Sequence, residues 1–301
     1  MDLTAVSPKS SLGNFIKAST VTPVNDLKGV KSPRFVDGEK LLRCKLASLY
    51  RLVDLCGWTH GIFNHISARI DGGGHEHFLI NPFGMLYHEV TASSLIKVDL
   101  KGEVIDQGST LFGFNRAGFT LHSAIHAARA DIKCVIHIHT PAATAVSAMK
   151  CGFLPLSEES MICGNVSYHD FQGIFIDENE KQVLANDLGP QNKIMVLHNH
   201  GIAVCGETIE EAFYLTFNFM AACEAQVRAI SVGLKNIVLP SDEAQVKAQS
   251  SGNKEKTGAD RSGVVWKKGE IEFEALMRTM DRLGYRTGYD YKLMPVVKKQ
   301  E

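Results

Sequence analysis

Two histidines one residue apart, His137 and His139, stand in the apolar stretch CVIHIHTPAA, which begins at Cys134. In an extended strand the side chains of residues i and i+2 point to the same side, about 7 Å apart. Neutral imidazoles are ligands for zinc and similar cations, so this spacing favours chelation, provided the fold brings in at least one more ligand. A strand that simply carries two polar side chains is the competing interpretation, and the pair alone leaves both open.

Four more histidines lie on neighbouring elements. His198 and His200 fall in the polar turn of LHNHGIAV, between two short apolar strands. His122 and His126 are four residues apart in a predicted helix, which places them on one face. The helical pair could line the same cleft as the strand pair, but packing or solvation is the favoured interpretation for these two.

Composition excludes several classes of function. The chain has 301 residues, 45% hydrophobic and 22% charged, enough for one large globular domain or two modest ones. A formal net charge of -1 gives no general attraction to nucleic acid or anionic lipid. The seven cysteines lack C-x-x-C spacing, which fits reduced thiols. With no signal peptide and no long apolar run, we expect a cytoplasmic protein without a transmembrane segment.

The elements that must position the histidines follow from hydrophobic periodicity. Apolar residues at helical spacing predict a first helix that ends at Gly57. IFNHISARI and HFLINP predict two strands joined by the turn DGGG, and because no helix follows, these glycines are not a dinucleotide-binding loop. A helix over 119–130 leads into the His-x-His strand, after which Thr140 and Pro141 begin another helix.

Four segments are predicted along the chain. Residues 1–36 have the composition of a disordered tail, and 37–239 form the main domain. In the main domain a long helix over 208–231 opens with the capping box of Thr208 and Glu211. Residues 240–262 are polar enough for a linker, and 263–301 carry a helical pattern that we expect to dock onto the main domain or a neighbouring subunit.

The sequence resembles the class II aldolase and adducin family. AGFTLHSAIHAARADIKCVIHIHTPAATAVSAMKCG and NHGIAVCGETIEEAFY are especially similar to the head domain of adducins, and FEALMRTMDRLGYRTGY extends that likeness into the tail. The resemblance implies an α/β fold of three layers, a class II aldolase-like architecture with a mixed, largely antiparallel central sheet flanked by helices. In the aldolase branch a divalent metal, usually Zn²⁺, is held by histidines that match His137, His139 and His200. A vestigial site that no longer binds metal is the alternative.

Departures from the aldolase pattern indicate lost catalysis. Gly118 stands where the aldolases carry an acid/base glutamate, and the phosphate loop retains only Asn64, Ser67 and the backbone of Gly84. General acid/base catalysis is worth about 10²- to 10⁴-fold in rate, so its loss is severe. Glu159 is the alternative acid, although a surface glutamate is the favoured interpretation of that residue.

The resemblance therefore implies a non-catalytic adducin-like head that forms homo- or hetero-oligomers with other adducin-like heads. Such proteins associate with spectrin and actin in the cytoskeleton, at the cytoplasmic face of the plasma membrane. The rival prediction is a metal-dependent lyase acting on a small carbonyl compound or a sugar phosphate, with the three histidines polarising the carbonyl.

Overall fold

The computed structural model describes residues 21–27, 35–71, 74–170, 178–252, 256–257 and 263–293. Within these residues the α-helices are α1 (Glu39–Leu55), α2 (Arg116–Ala128), α3 (Pro141–Ser147), α4 (Glu158–Cys163), α5 (Glu178–Leu188), α6 (Ile209–Ala229), α7 (Asp242–Gly252) and α8 (Glu270–Arg282). The strands are β1 (His65–Ile70), β2 (His77–Ile80), β3 (Ile96–Asp99), β4 (Val104–Asp106), β5 (Cys134–Ile138), β6 (Ser167–His169), β7 (Ile194–Leu197), β8 (Gly201–Gly206), β9 (Lys256–Thr257) and β10 (Val265–Trp266).

One eight-stranded sheet organises the chain, in the order β4-β3-β2-β1-β5-β8-β7-β6. Neighbouring strands are antiparallel except β6 and β7, which are parallel. The predicted mixed, largely antiparallel sheet is therefore confirmed. The central pairing of β1 with β5 sets His65 directly opposite His137, so the two side chains share one face.

Helices cover both faces of this sheet. On one face, side chains such as Ile66, Ile136 and Val204 form a core with α1, α3, α6 and α8. On the other face, Val135 and Cys205 pack with α2 and α5. The alternation of strand side chains separates the two cores, and this confirms the predicted three layers.

Local signals place the helix ends near the site as the sequence predicts. Gly57 adopts φ 74° just after α1, a left-handed conformation that glycine reaches without steric cost. The Thr140 hydroxyl accepts a hydrogen bond from the Ala143 amide at 3.2 Å and caps α3. Thr208 caps α6 through the Glu211 amide at 3.0 Å. The sequence therefore defines both the start of the helix after the His-x-His strand and the start of the long helix.

Part of the predicted N-terminal tail is packed. Residues 1–20 and 28–34 lie outside the described residues, but within 21–27 the Val24 side chain is fully buried. Its amide donates to the Tyr285 carbonyl at 2.7 Å, and its carbonyl accepts from the Ala92 amide at 3.0 Å. Composition alone misjudged this short segment, because its few apolar residues are buried by partners that are distant in sequence.

The predicted linker is also corrected. Within 240–262 the structure forms helix α7, which begins after Ser241 and packs against α4. The Ser241 hydroxyl accepts a hydrogen bond from the Ala244 amide at 3.3 Å. Its sequence, DEAQVKAQSSG, is rich in good helix formers although poor in large apolar side chains, so polarity did not exclude helix here.

Helix α8 docks onto the main domain, one of the two predicted alternatives. Phe273, Met277 and Met280 are buried, and the Phe273 ring lies 5.8 Å from the ring of Phe213 on α6. No helix among the described residues combines the length and apolarity needed to cross a membrane.

Candidate metal centre

Three histidines converge where β5 ends and the turn before β8 begins. Ring nitrogens of His137, His139 and His200, one from each residue, lie within 4.8 Å of one another. Their ring centroids are separated by 4.5 Å, 4.6 Å and 5.0 Å. Within the part of the chain that the structure describes, these residues are the one group with metal-ligand spacing.

The backbone holds the third histidine against the first two. The turn between β7 and β8 places Asn199 at φ 56°, and the Thr144 hydroxyl on α3 donates to the His200 carbonyl at 3.2 Å. Gly201 follows, where an added Cβ would lie 2.7 Å from the Ile138 carbonyl oxygen. Close packing of the turn against the end of β5 therefore requires glycine at this position.

The three imidazoles are neutral at physiological pH. Burial lowers the pKa of His137 and of His200, and burial together with the nearby His200 and His60 lowers the pKa of His139 to about 4. The Ile202 carbonyl lies 2.8 Å from Nδ1 of His137. A carbonyl can only accept, so Nδ1 carries the proton and Nε2 offers its lone pair.

This donor set fits a divalent cation. Zinc binds histidine nitrogens at about 2.0–2.1 Å, which separates tetrahedral ligands by about 3.4 Å. Nε2 of His137 and Nε2 of His139 are 2.8 Å apart, so small ring rotations produce that geometry. A carbonyl acceptor behind His137 is the usual second contact of a metal-bound imidazole. Three neutral ligands would leave an open position where the cation acts as a Lewis acid.

A second, fully buried cluster lies beside the first, between β1 and α2. Nδ1 of His65 is 2.7 Å from Nε2 of His122. The Ser67 hydroxyl is 2.7 Å from Nδ1 of His122 and 2.8 Å from Nε2 of His126. Nδ1 of His126 is 3.3 Å from the Ile132 carbonyl oxygen. His122 and His126 are therefore packed inside the fold, as the favoured sequence interpretation holds.

His65 connects the two clusters. Its ring centroid lies 4.8 Å from that of His137 and 4.8 Å from that of His122. A Cβ built on Gly118 would lie 2.7 Å from Cδ2 of His65, and closer still to Nε2. The imidazole of His65 therefore fills the space in which a side chain at position 118 would start.

The structure also places the three residues predicted as the remains of a phosphate site. Asn64 donates to the Trp58 carbonyl at 2.9 Å and accepts from the His139 amide at 3.3 Å, so its amide supports the end of the metal strand. Both Asn64 and Ser67 already use inside the fold the hydrogen bonds that a phosphate would need. A Cβ built on Gly84 would lie 3.1 Å from Cδ1 of the Phe112 ring.

Two further predicted positions lie away from the three ligands. Glu159 is in the first turn of α4, and it is not one of the described residues that group as metal ligands. Nδ1 of His198 contacts a carboxylate oxygen of Asp170 at 2.7 Å, and His198 is outside the group of three candidate ligands.

Sequence reasoning missed the role of His65. The signal was present, because His65, Ser67 and Arg69 alternate along one strand and so share a face. What the sequence did not supply was the pairing of β1 with β5, which brings that face against the metal histidines.

A three-layer α/β fold with three histidines grouped at the strand ends has a candidate metal site of the class II aldolase type. The sequence comparison is specific: residues 44–227 match the family model "Class II Aldolase and Adducin N-terminal domain". The chain belongs to the class II aldolase and adducin family.

Its relatives include adducins. Alpha-adducin of Rattus norvegicus is 55% identical over 275 residues, which cover 90% of this chain and 37% of the rat protein. Gamma-adducin of Homo sapiens is 48% identical over 301 residues, 98% of this chain and 41% of the human protein. The chain thus spans about two fifths of the length of these curated relatives.

Solved structures agree on the fold. An aldolase II superfamily protein from Pseudomonas syringae aligns with TM-score 0.75 and 40% identity, over 84% of this chain and 97% of the bacterial chain. L-fuculose 1-phosphate aldolase from Glaciozyma antarctica aligns with TM-score 0.68 and 25% identity, over 84% and 96% of the two chains.

Proposed function

We propose that this chain is a non-catalytic, adducin-like head that acts by associating with other heads of its family. The observation that carries the proposal is Gly118: the position of the aldolase acid has no side chain, and His65 fills the space. Without a group that transfers protons at this position, the site retains metal and ligand binding but loses its catalytic agent. Adducin relatives at 48–55% identity support the same conclusion.

Exposed aromatic side chains support association. Phe63 is 55% exposed, and its ring lies 6.1 Å from that of His60, whose ring is 6.0 Å from that of His139. Phe217 on α6 is 49% exposed, and its ring lies 6.1 Å from that of Trp58. Large apolar side chains at a surface are typical of protein interfaces. We assign these side chains to contacts with a second adducin-like head, of the same or a related chain.

The finer features of the proposal are those that the family resemblance of the sequence implies. The metal would be Zn²⁺ or a similar cation, held by His137, His139 and His200. The head would act in the cytoplasm, in the cytoskeleton at the inner face of the plasma membrane, with spectrin and actin as partners of the assembly.

Sedimentation equilibrium at micromolar concentration tests the association, with the chain alone and mixed with rat alpha-adducin. We expect a dimer or larger species alone and a mixed species with alpha-adducin. Phe217→Ser should shift the distribution towards monomer, whereas Val246→Ser on α7, where Val246 is 66% exposed, serves as the matched control. Monomers in both samples would contradict the proposal.

The lyase alternative makes a different prediction. It requires metal-dependent cleavage of a sugar phosphate by the wild-type chain, and that turnover should vanish with Glu159→Gln if Glu159 supplies the acid.

A further inference from the structure

The second cluster has only one consistent arrangement of protons. His65, His122 and His126 are buried, so each imidazole is neutral and carries one N–H. The Ile132 carbonyl can only accept, which puts the proton of His126 on Nδ1 and leaves Nε2 as an acceptor. The Ser67 hydroxyl must then donate to His126.

The same reasoning continues to the end of the chain of contacts. Because Ser67 donates to His126, its oxygen accepts from Nδ1 of His122. Nε2 of His122 is then an acceptor, and Nδ1–H of His65 donates to it. All four hydrogen bonds run in one direction, from His65 to the Ile132 carbonyl, so each one polarises the next.

The outcome is a bare lone pair on Nε2 of His65. Within the described residues, the His65 ring makes one hydrogen bond, and it does so through Nδ1. Nε2 lies beside Gly118, which has no side chain, in a ring whose centroid lies 4.8 Å from that of His137. A hydrogen-bond acceptor with its orientation fixed by the network is therefore positioned beside the candidate metal ligands.

The charge of the metal centre indicates which group of a ligand would bind the cation. Among the described residues, the group with metal-ligand spacing consists of three histidines and contains no carboxylate. A divalent cation on His137, His139 and His200 would keep its full charge, because neutral imidazoles do not offset it. Such a centre favours an anionic ligand in its open position.

We propose that this centre binds a small hydroxycarboxylate, whose carboxylate binds the cation and whose hydroxyl donates a hydrogen bond to Nε2 of His65. The inference rests on the proposed metal binding and extends it to a ligand class. It assigns to His65 a ligand-binding role.

Two anions test the proposal, one with a hydroxyl group beside the carboxylate and one in which a methyl group replaces the hydroxyl hydrogen. Co²⁺-loaded protein is titrated with glycolate and with methoxyacetate, and the visible absorption of the cobalt reports binding. One hydrogen bond to a fixed acceptor is worth about tenfold in affinity, so glycolate should bind about tenfold more tightly. His65→Phe retains a planar ring but removes the acceptor, and the preference should disappear. His198→Gln, away from the network, should keep it.

A second measurement does not depend on a variant. Long-range ¹H–¹⁵N correlation spectra of Zn²⁺-loaded, ¹⁵N-histidine-labelled protein report which ring nitrogen carries the proton. We expect His65 to be protonated on Nδ1 alone. A proton on Nε2, or a glycolate preference that is absent or survives His65→Phe, overturns this inference while metal binding stands. Failure of the wild type to bind Co²⁺ overturns the metal proposal and this inference together.

Discussion

Nε2 of His65 occupies the space in which a side chain on Gly118 would begin. The two residues come from different elements, strand β1 and the first turn of helix α2. A Cβ on Gly118 would lie 2.7 Å from Cδ2 of His65, whereas packed carbon atoms approach to about 3.5–4.0 Å. The imidazole and a side chain at position 118 therefore exclude each other. The imidazole of His65 thus reaches the space beside position 118 from another element.

Gly118→Ala should destabilise the protein although alanine favours helix. The better helix propensity of alanine contributes about 1 kcal/mol, but forcing a methyl group into the His65 ring costs about 1–3 kcal/mol. Because the ring is locked by its bond to His122, we expect the clash to dominate and the free energy of unfolding to fall by up to about 2 kcal/mol. Urea denaturation measures the difference.

Gly113→Ala is the matched control, because an added Cβ there meets nothing within 4 Å, and its effect should stay within about 0.5 kcal/mol. Adding His65→Ala to Gly118→Ala should remove the clash, so the two changes should be non-additive. Equal effects of Gly118→Ala with and without the histidine would disprove the steric account.

Metal binding should depend on the His-x-His pair. Purified without chelator, the wild type should carry close to one Zn²⁺ or similar cation per chain, and the double variant His137→Ala, His139→Ala should lose it, because a single remaining imidazole binds weakly. Elemental analysis with native mass spectrometry measures the stoichiometry. His198→Ala should retain the metal, and an unchanged content in the double variant would place the metal elsewhere.

Retro-aldol cleavage should be undetectable. With L-fuculose 1-phosphate as substrate and saturating Zn²⁺, the wild type should not exceed the rate of the double-histidine variant, because position 118 offers no titratable group. Gly118→Glu should fail to restore activity, since its side chain meets His65. Coupled-assay turnover that disappears with Glu159→Gln would instead identify an enzyme.

The sequence predicted the grouping of the candidate metal ligands better than the packing around Gly118. His137 and His139 are close in the chain, and strand periodicity alone puts them on one side. His65 reaches the same place through the antiparallel register of β1 with β5, which is a non-local property. The same limit explains the N-terminal error: the backbone of Val24 makes hydrogen bonds with Tyr285 and Ala92, partners that no local pattern reveals.

Acid should destabilise the fold through His126. Burial is the main cause that lowers its pKa from 6.5 to about 3. Between these two pH values the unfolded chain therefore binds a proton that the folded chain does not bind. The stabilisation is complete above pH 6.5 and is lost as pH falls from there towards 3. Between about pH 7.5 and about pH 5 this one group should remove about 2 kcal/mol from the free energy of unfolding.

His126→Gln isolates that contribution, because glutamine can still donate and accept but does not titrate. Urea denaturation of both proteins across this pH range should give a shallower pH dependence in the variant, by close to one proton. Identical slopes would mean that His126 is not held neutral in the folded state.

Helix α8 should be part of the folding unit, because its apolar face is buried against α6. Phe273 is fully buried, 5.8 Å from the ring of Phe213 and 5.8 Å from that of Tyr289. Phe273→Ala should therefore lower the free energy of unfolding by about 3–5 kcal/mol, through lost burial and the cavity left behind. Leu283→Ala just past the same helix, at a side chain 57% exposed, should change it by less than about 0.5 kcal/mol. If the two variants unfold at the same urea concentration, the packing of α8 contributes nothing to the stability of the main domain.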